Sequence, residues 1–116
     1  MPDNQNVEAL WQNILSTLNK SPQDIRTVLQ DGSAGKVWIH ASASNNTVKI
    51  DKANEKMPSS TLRAPYHISQ TEFIELYPIY HKWRAGTVSR EYIRDNMSRK
   101  SSYIFALIHK FDDTVN

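Results

Sequence analysis

The chain has 116 residues, 39% hydrophobic and 22% charged, with a net charge of +2 and no cysteine. A single domain of this size buries a genuine core, and the absence of thiols excludes disulfides and argues against a zinc finger. No apolar run nears the roughly 18 residues of a membrane span, and MPDNQNVEALW lacks the basic and apolar regions of a signal peptide, so a cytoplasmic protein without membrane contact is expected.

In chain order, Val7, Leu10, Trp11, Ile14, Leu15 and Leu18 form an apolar stripe at helical spacing, with Asn4 or Asn6 available to cap it. Ser21-Pro22-Gln23-Asp24 reads as an N-cap, a first-turn proline and a first-turn acid. With Ile25, Val28 and Leu29 following, a second helix is expected, so that helices occupy 5–30. The GSAG stretch from Gly32 to Gly35 is expected to be a flexible loop.

At Lys36 the period changes to two. Val37, Ile39, Ala41 and Ala43 alternate with polar or aromatic neighbours, as do Val48 and Ile50, around Asn45-Asn46. Asparagine tolerates the positive φ of a tight hairpin turn, so 36–51 predicts a β-hairpin pairing Ala43 with Val48, Ala41 with Ile50 and His40 with Asp51. That register gathers the aliphatic side chains on one face. Trp38 and His40 fall on the other, where the loop that follows is expected to cover Trp38.

Residues 52–68 have no period and contain Pro58 and Pro65, so they read as a long connection. Its polar constellation is Arg63, Tyr66 and His67. Ser69-Gln70-Thr71-Glu72 then fits a capping box, with Ile68 and Phe73 as its hydrophobic staple. Phe73, Leu76, Tyr77, Tyr80 and Trp83 form the inward stripe of the next helix, Pro78 is expected to kink it, and Gly86 suits its left-handed end. Ser89 or Thr87 caps a short helix carrying Tyr92 and Ile93. The last helix follows Ser98 as N-cap, with Ile104, Leu107, Ile108 and Phe111 inward. Arg99, Ser102, Ala106, His109 and Lys110 are expected to face out, and Phe105 to lie on the flank. The fold class that results is α+β: a mostly helical single domain over 1–116, with two N-terminal helices, one antiparallel hairpin and three C-terminal helices over 69–111.

Charge is distributed unevenly. Residues 1–60 carry six basic and six acidic side chains, whereas 81–110 carry seven basic ones against Glu91 and Asp95, a net of +5. A basic back half is suited to an anionic partner. Enzymatic signals are weak: the three glycines form no phosphate loop, the four histidines are scattered, and no metal, cofactor or catalytic set is expected.

Gly86, Ser89, Ile93, Ser98, Ser101, Tyr103, Leu107 and Phe111 stand in a pattern that resembles the helix-turn-helix tail of resolvase/invertase-type recombinases. The resemblance covers about residues 83–111. The first 80 residues show no catalytic serine domain, so recombination itself is not implied. What the resemblance implies is binding of double-stranded DNA by a small accessory or regulatory protein. Arg99, Lys100, Ser102, Tyr103 and Ala106 would then approach base edges, and Lys82, Arg84, Arg90 and Arg94 the phosphates. Two other readings stay open. One is a protein-interaction or homodimerisation module using Trp38 and Phe105. The other is a small ligand-binding domain or enzyme using the 52–68 loop, with Arg63, Tyr66 and His67 beside His40.

Overall fold

The computed structural model describes residues 4–59, 64–97 and 100–112. The elements run α1 (Asn4–Lys20), β1 (Gln23–Val28), β2 (Ala34–Ser44), β3 (Thr47–Lys52), β4 (Tyr66–Ile68), α2 (Gln70–Arg84), α3 (Arg90–Asn96) and α4 (Ser101–Phe111). The strands form one antiparallel meander in the order β1-β2-β3-β4. The expected fold, mostly helical with a two-stranded hairpin, is overturned: one N-terminal helix, not two, precedes a four-stranded sheet.

The segment expected as a second helix is β1, and its sequence shows why the two were confused. Ile25 and Val28 are both buried although they stand three apart, the separation that marks one face of a helix. The β1–β2 pairing shifts register here: Arg26 stands opposite Trp38 but Val28 opposite Ala34, so β2 carries two more residues than β1 over this step. The segment QDIRTV holds three β-branched side chains, which favour a strand. Leu29, counted with them in the expected helix, is 47% exposed. Gly35 belongs to β2 rather than to a loop, because the strand begins at Ala34.

The central hairpin has the expected register, Ala43 opposite Val48, Ala41 opposite Ile50 and His40 opposite Asp51. Asn45 and Asn46 supply the two positive φ angles of its turn, 50° and 64°. The expected 52–68 connection ends earlier than supposed, since Tyr66–Ile68 adds to β3 as a fourth strand. Three residues are too few to show a period.

Ile25, Ile39, Ala41, Val48, Ile50 and Ile68 are buried on one side of the sheet. On the other side, Asp24, Arg26, Trp38, His40, Lys49, Asp51 and His67 remain partly or fully exposed. Helix α1 packs on β2, α4 packs on β1, and α2 packs on both helices. The capping box of Ser69 and Glu72 is present, and α2 continues through Pro78 with Phe73, Leu76, Tyr77, Tyr80 and Trp83 buried. Gly86, at φ 82°, follows it. Ser89 caps α3 by accepting from the Tyr92 amide. No helix among the described residues is long and apolar enough to cross a membrane.

The last helix begins at Ser101, and the expected cap Ser98 lies outside the described residues. Its inward residues Ile104, Leu107 and Ile108 are buried as their spacing predicts. Phe105 and Ala106, expected on the flank and the front, are buried as well, at 0% and 1% exposure. A helix wedged between a sheet and a second helix has apolar neighbours on more than one side, so a single-stripe reading understates what it buries.

One close approach supports the β1–β2 bulge. A Cβ on Gly35 would lie 2.4 Å from Thr27 Oγ1 and 2.8 Å from the Thr27 carbonyl oxygen, while Thr27 Oγ1 donates to the Val37 carbonyl at 2.9 Å. Gly35→Ala is expected to destabilise the fold by about 1–3 kcal/mol through overpacking. Urea denaturation followed by circular dichroism reads this as a lower midpoint with an unchanged slope.

Candidate anion-binding pocket

Among the described residues, several basic side chains of the C-terminal half hold separate partners. Arg84 ties α2 to the β1–β2 turn, with Nε donating to the Gln30 carbonyl at 2.9 Å and Nη2 to that of Asp31 at 3.4 Å. Arg94 pairs with its neighbour Asp95 at 3.1 Å, both side chains more than half exposed, an arrangement of little energetic weight. Lys100 bridges Glu72 at 3.0 Å and the His67 carbonyl at 2.8 Å. Lys82 is exposed on α2, away from these, along a groove it shares with Tyr92 and Met97. Arg99 lies outside the described residues. Of the side chains expected to read base edges, Ala106 is buried, Lys100 is held by Glu72, and Ser102 and Tyr103 face a cavity.

Three of the expected DNA contacts, Arg90, Ser102 and Tyr103, do come together, for a different reason. The buried Phe105 of α4 stacks on Trp83 of α2, ring centroids 4.9 Å apart and planes 26° from parallel. The guanidinium carbon of Arg90 lies 5.4 Å from the Trp83 ring centre and 5.8 Å from that of Phe105, within the range of cation–π attraction. Arg90 Nη2 donates to Ser102 Oγ, one helical turn before Phe105. Tyr103 packs on Tyr66, centroids 5.6 Å apart. The opposite wall comes from the ends of β1 and β2: Thr27 to Gln30 and Gly35 to Val37. Together they enclose a cavity of about 450 Å³.

The electrostatics of this cavity are one-sided. Burial pushes the Arg90 guanidinium below its ordinary value, and the neighbouring charge of Glu91 partly restores it. An arginine starts so high that it stays charged at neutral pH. Burial, with the nearby Tyr66, raises the Tyr103 phenol and keeps it a neutral O–H. Among the described residues no carboxylate lies within ion-pair distance of Arg90. The wall donors are engaged: Thr27 Oγ1 donates to Val37 and Gln30 Nε2 to the Trp83 carbonyl at 2.9 Å.

No family model, curated protein or solved structure matches the chain.

The open face of the sheet holds a second cluster, with partners other than those expected. His40 does stand opposite Asp51 in the register, but its Nδ1 is 2.9 Å from Asp24 Oδ1 on the other neighbouring strand. Asp51 instead accepts from the Lys52 amide. Asp24, whose side chain is only 7% exposed, also accepts from the amides of Asn54, Glu55 and Lys56 at 2.8–2.9 Å. The chain after β3 is thereby pinned across the face, and the Trp38 amide donates to the Pro58 carbonyl at 2.9 Å. Trp38 is half-buried, with Arg26 at 5.5 Å and Lys56 at 5.8 Å from its ring centre. The expected cover over Trp38 is thus present, whereas Tyr66 packs on Tyr103 of α4, away from His40. Phe105 is core, and Arg63 lies outside the described residues.

The Asp24 cluster closes on itself, so its work is structural. Burial alone would raise this carboxyl, but the three amides and His40 outweigh it and hold it well below the usual carboxylate range. A depressed folded-state value contributes stability that is complete above the unfolded value of about 4 and lost as pH falls below it. Asp24→Ala is expected to cost on the order of 2 kcal/mol at pH 7. Urea titrations at pH 7 and pH 3 should show the gap between wild type and variant narrowing at the lower pH.

Proposed function

We propose that this domain is a non-enzymatic binding module that captures an anionic group in the Arg90 pocket. The observation that carries the reading is a half-buried guanidinium laid over two aromatic rings, hydrogen-bonded to a hydroxyl and, among the described residues, in ion-pair contact with no carboxylate. Removing a cation from water is costly without a compensating charge. A ligand anion supplies that charge, and the planar donor fork of arginine fits an oxyanion in two-point contact. A cavity of this size with apolar walls and a few converging polar groups is the usual form of a small-ligand site.

The reading keeps the anionic partner inferred from the charge distribution but moves the contact. A recognition helix needs a protruding face to enter a groove, and α4 places Phe105 and Ala106 in the core.

Trp83 borders the pocket, so tryptophan fluorescence reports its occupancy. Titration with inorganic phosphate, benzoate and 3-phenylpropionate is expected to give a saturable change for at least one anion, weakened about tenfold or more in Arg90→Gln. Arg90→Lys, which keeps the charge and loses the fork, should fall between. The doubly substituted Lys82→Ala/Arg94→Ala protein should bind as wild type. Equal binding by Arg90→Gln with its fold intact by circular dichroism overturns the proposal. So does low-salt binding to duplex DNA that depends on Lys82 and Arg94 but not on Arg90.

A further inference from the structure

Resting on the anion-pocket reading, we infer that the group the pocket selects is a carboxylate on an apolar body, in preference to a phosphate. A guanidinium has five N–H donors, and Ser102 accepts one of them at Nη2. The remaining donors match two coplanar oxygens. Ser102, which uses its oxygen to accept from Arg90, still has its own hydroxyl proton to give.

Beyond that pair the lining adds the neutral Tyr103 O–H and the exposed Lys36 at the rim, and no second buried cation. Thr27 and Gln30 each already donate to a backbone carbonyl, and Lys36 stands exposed on the rim, where an ion pair in water is worth little. A phosphate monoester brings up to two charges and three terminal oxygens. Against one half-buried cation it would leave charge and acceptors desolvated without partners, a penalty that a monocarboxylate avoids. The rest of the lining, Val28, Leu29, Val37, Trp83 and Tyr103, suits a hydrocarbon or aromatic body. Such a carboxylate has two sources: a free aryl or alkyl acid, or the C-terminus of a peptide ending in an apolar residue. Both present the same two oxygens on an apolar stem.

The test compares matched probes on the intact chain by tryptophan fluorescence and by ¹⁵N–¹H shifts of Arg90, Ser102 and Tyr103. 3-Phenylpropionate is expected to bind at least tenfold tighter than phenyl phosphate, and 3-phenylpropionamide not at all. A hexapeptide ending in a free Phe should bind, and its C-terminally amidated form should not. If the free peptide exceeds 3-phenylpropionate tenfold, the source is a protein C-terminus; if the two bind alike, it is a small acid. Either result supports the carboxylate. Phenyl phosphate binding as tightly as 3-phenylpropionate, or the amides binding as well as the acids, overturns the inference. Phenyl phosphate binding that still requires Arg90 would leave the anion pocket standing. Failure of every probe, inorganic phosphate included, would remove both.

Discussion

The constraint on which the molecule depends is a sheet with one apolar face to cover. Ile25, Ile39, Ala41, Val48, Ile50 and Ile68 all point to the same side, and hydrophobic burial there is the main source of stability. Helices α1 and α4 provide the cover, with α2 laid across both. Because α4 is held between β1 and α2, it meets apolar surface on several sides and buries five consecutive residues from Ile104 to Ile108. That burial drives Phe105 against Trp83. The stacked pair is in turn the shelf on which Arg90 rests. The pocket is thus a by-product of covering the sheet.

Two charged groups removed from water show how structure and function separate. Asp24 is satisfied on every side, by three amides and a histidine, and the result is a clamp that holds the chain after β3 to the open face. Arg90 has aromatic faces and one hydroxyl, and among the described residues no carboxylate makes an ion pair with it, although the charge of Glu91 acts on it from the neighbouring position. The first group lowers the free energy of the fold by itself. The second leaves an interaction for something outside the chain to complete, and the cavity beside it gives that partner room.

Elements governed by their own short stretch of chain were legible. The Asn45-Asn46 hairpin and its register, the capping box at Ser69, the inward stripe of α2 and the Ser89 cap each follow from neighbours in sequence, and each is present. Where a distant partner intervenes, local reading fails. The register shift between Arg26 and Val28 exists only because β2 runs beside β1, and Ile25 and Val28, three apart as on a helix face, are both buried there. The His40 partner was sought across the hairpin that sequence could see, while the true partner, Asp24, sits on a strand it had read as helix. The β-branched content of residues 25–28 was the available signal, outweighed by the apparent cap at Ser21-Pro22.

The same division holds for the site. Sequence alone determined that the back half is basic, that Arg90, Ser102 and Tyr103 are polar groups near a helical stripe, and that Trp83 is inward-facing. Only the tertiary structure decided what those residues do together. Arg90 belongs to α3, Ser102 and Tyr103 to α4, Trp83 to α2, and the opposite wall to residues 27–37, more than forty residues earlier in the chain. No periodicity records that meeting, because packing against the sheet sets it. Ala106, read from 100° steps as part of the outward face, and Phe105, read as its flank, are core for the same reason: a helix shows which sides it can bury, and its neighbours determine how many it does.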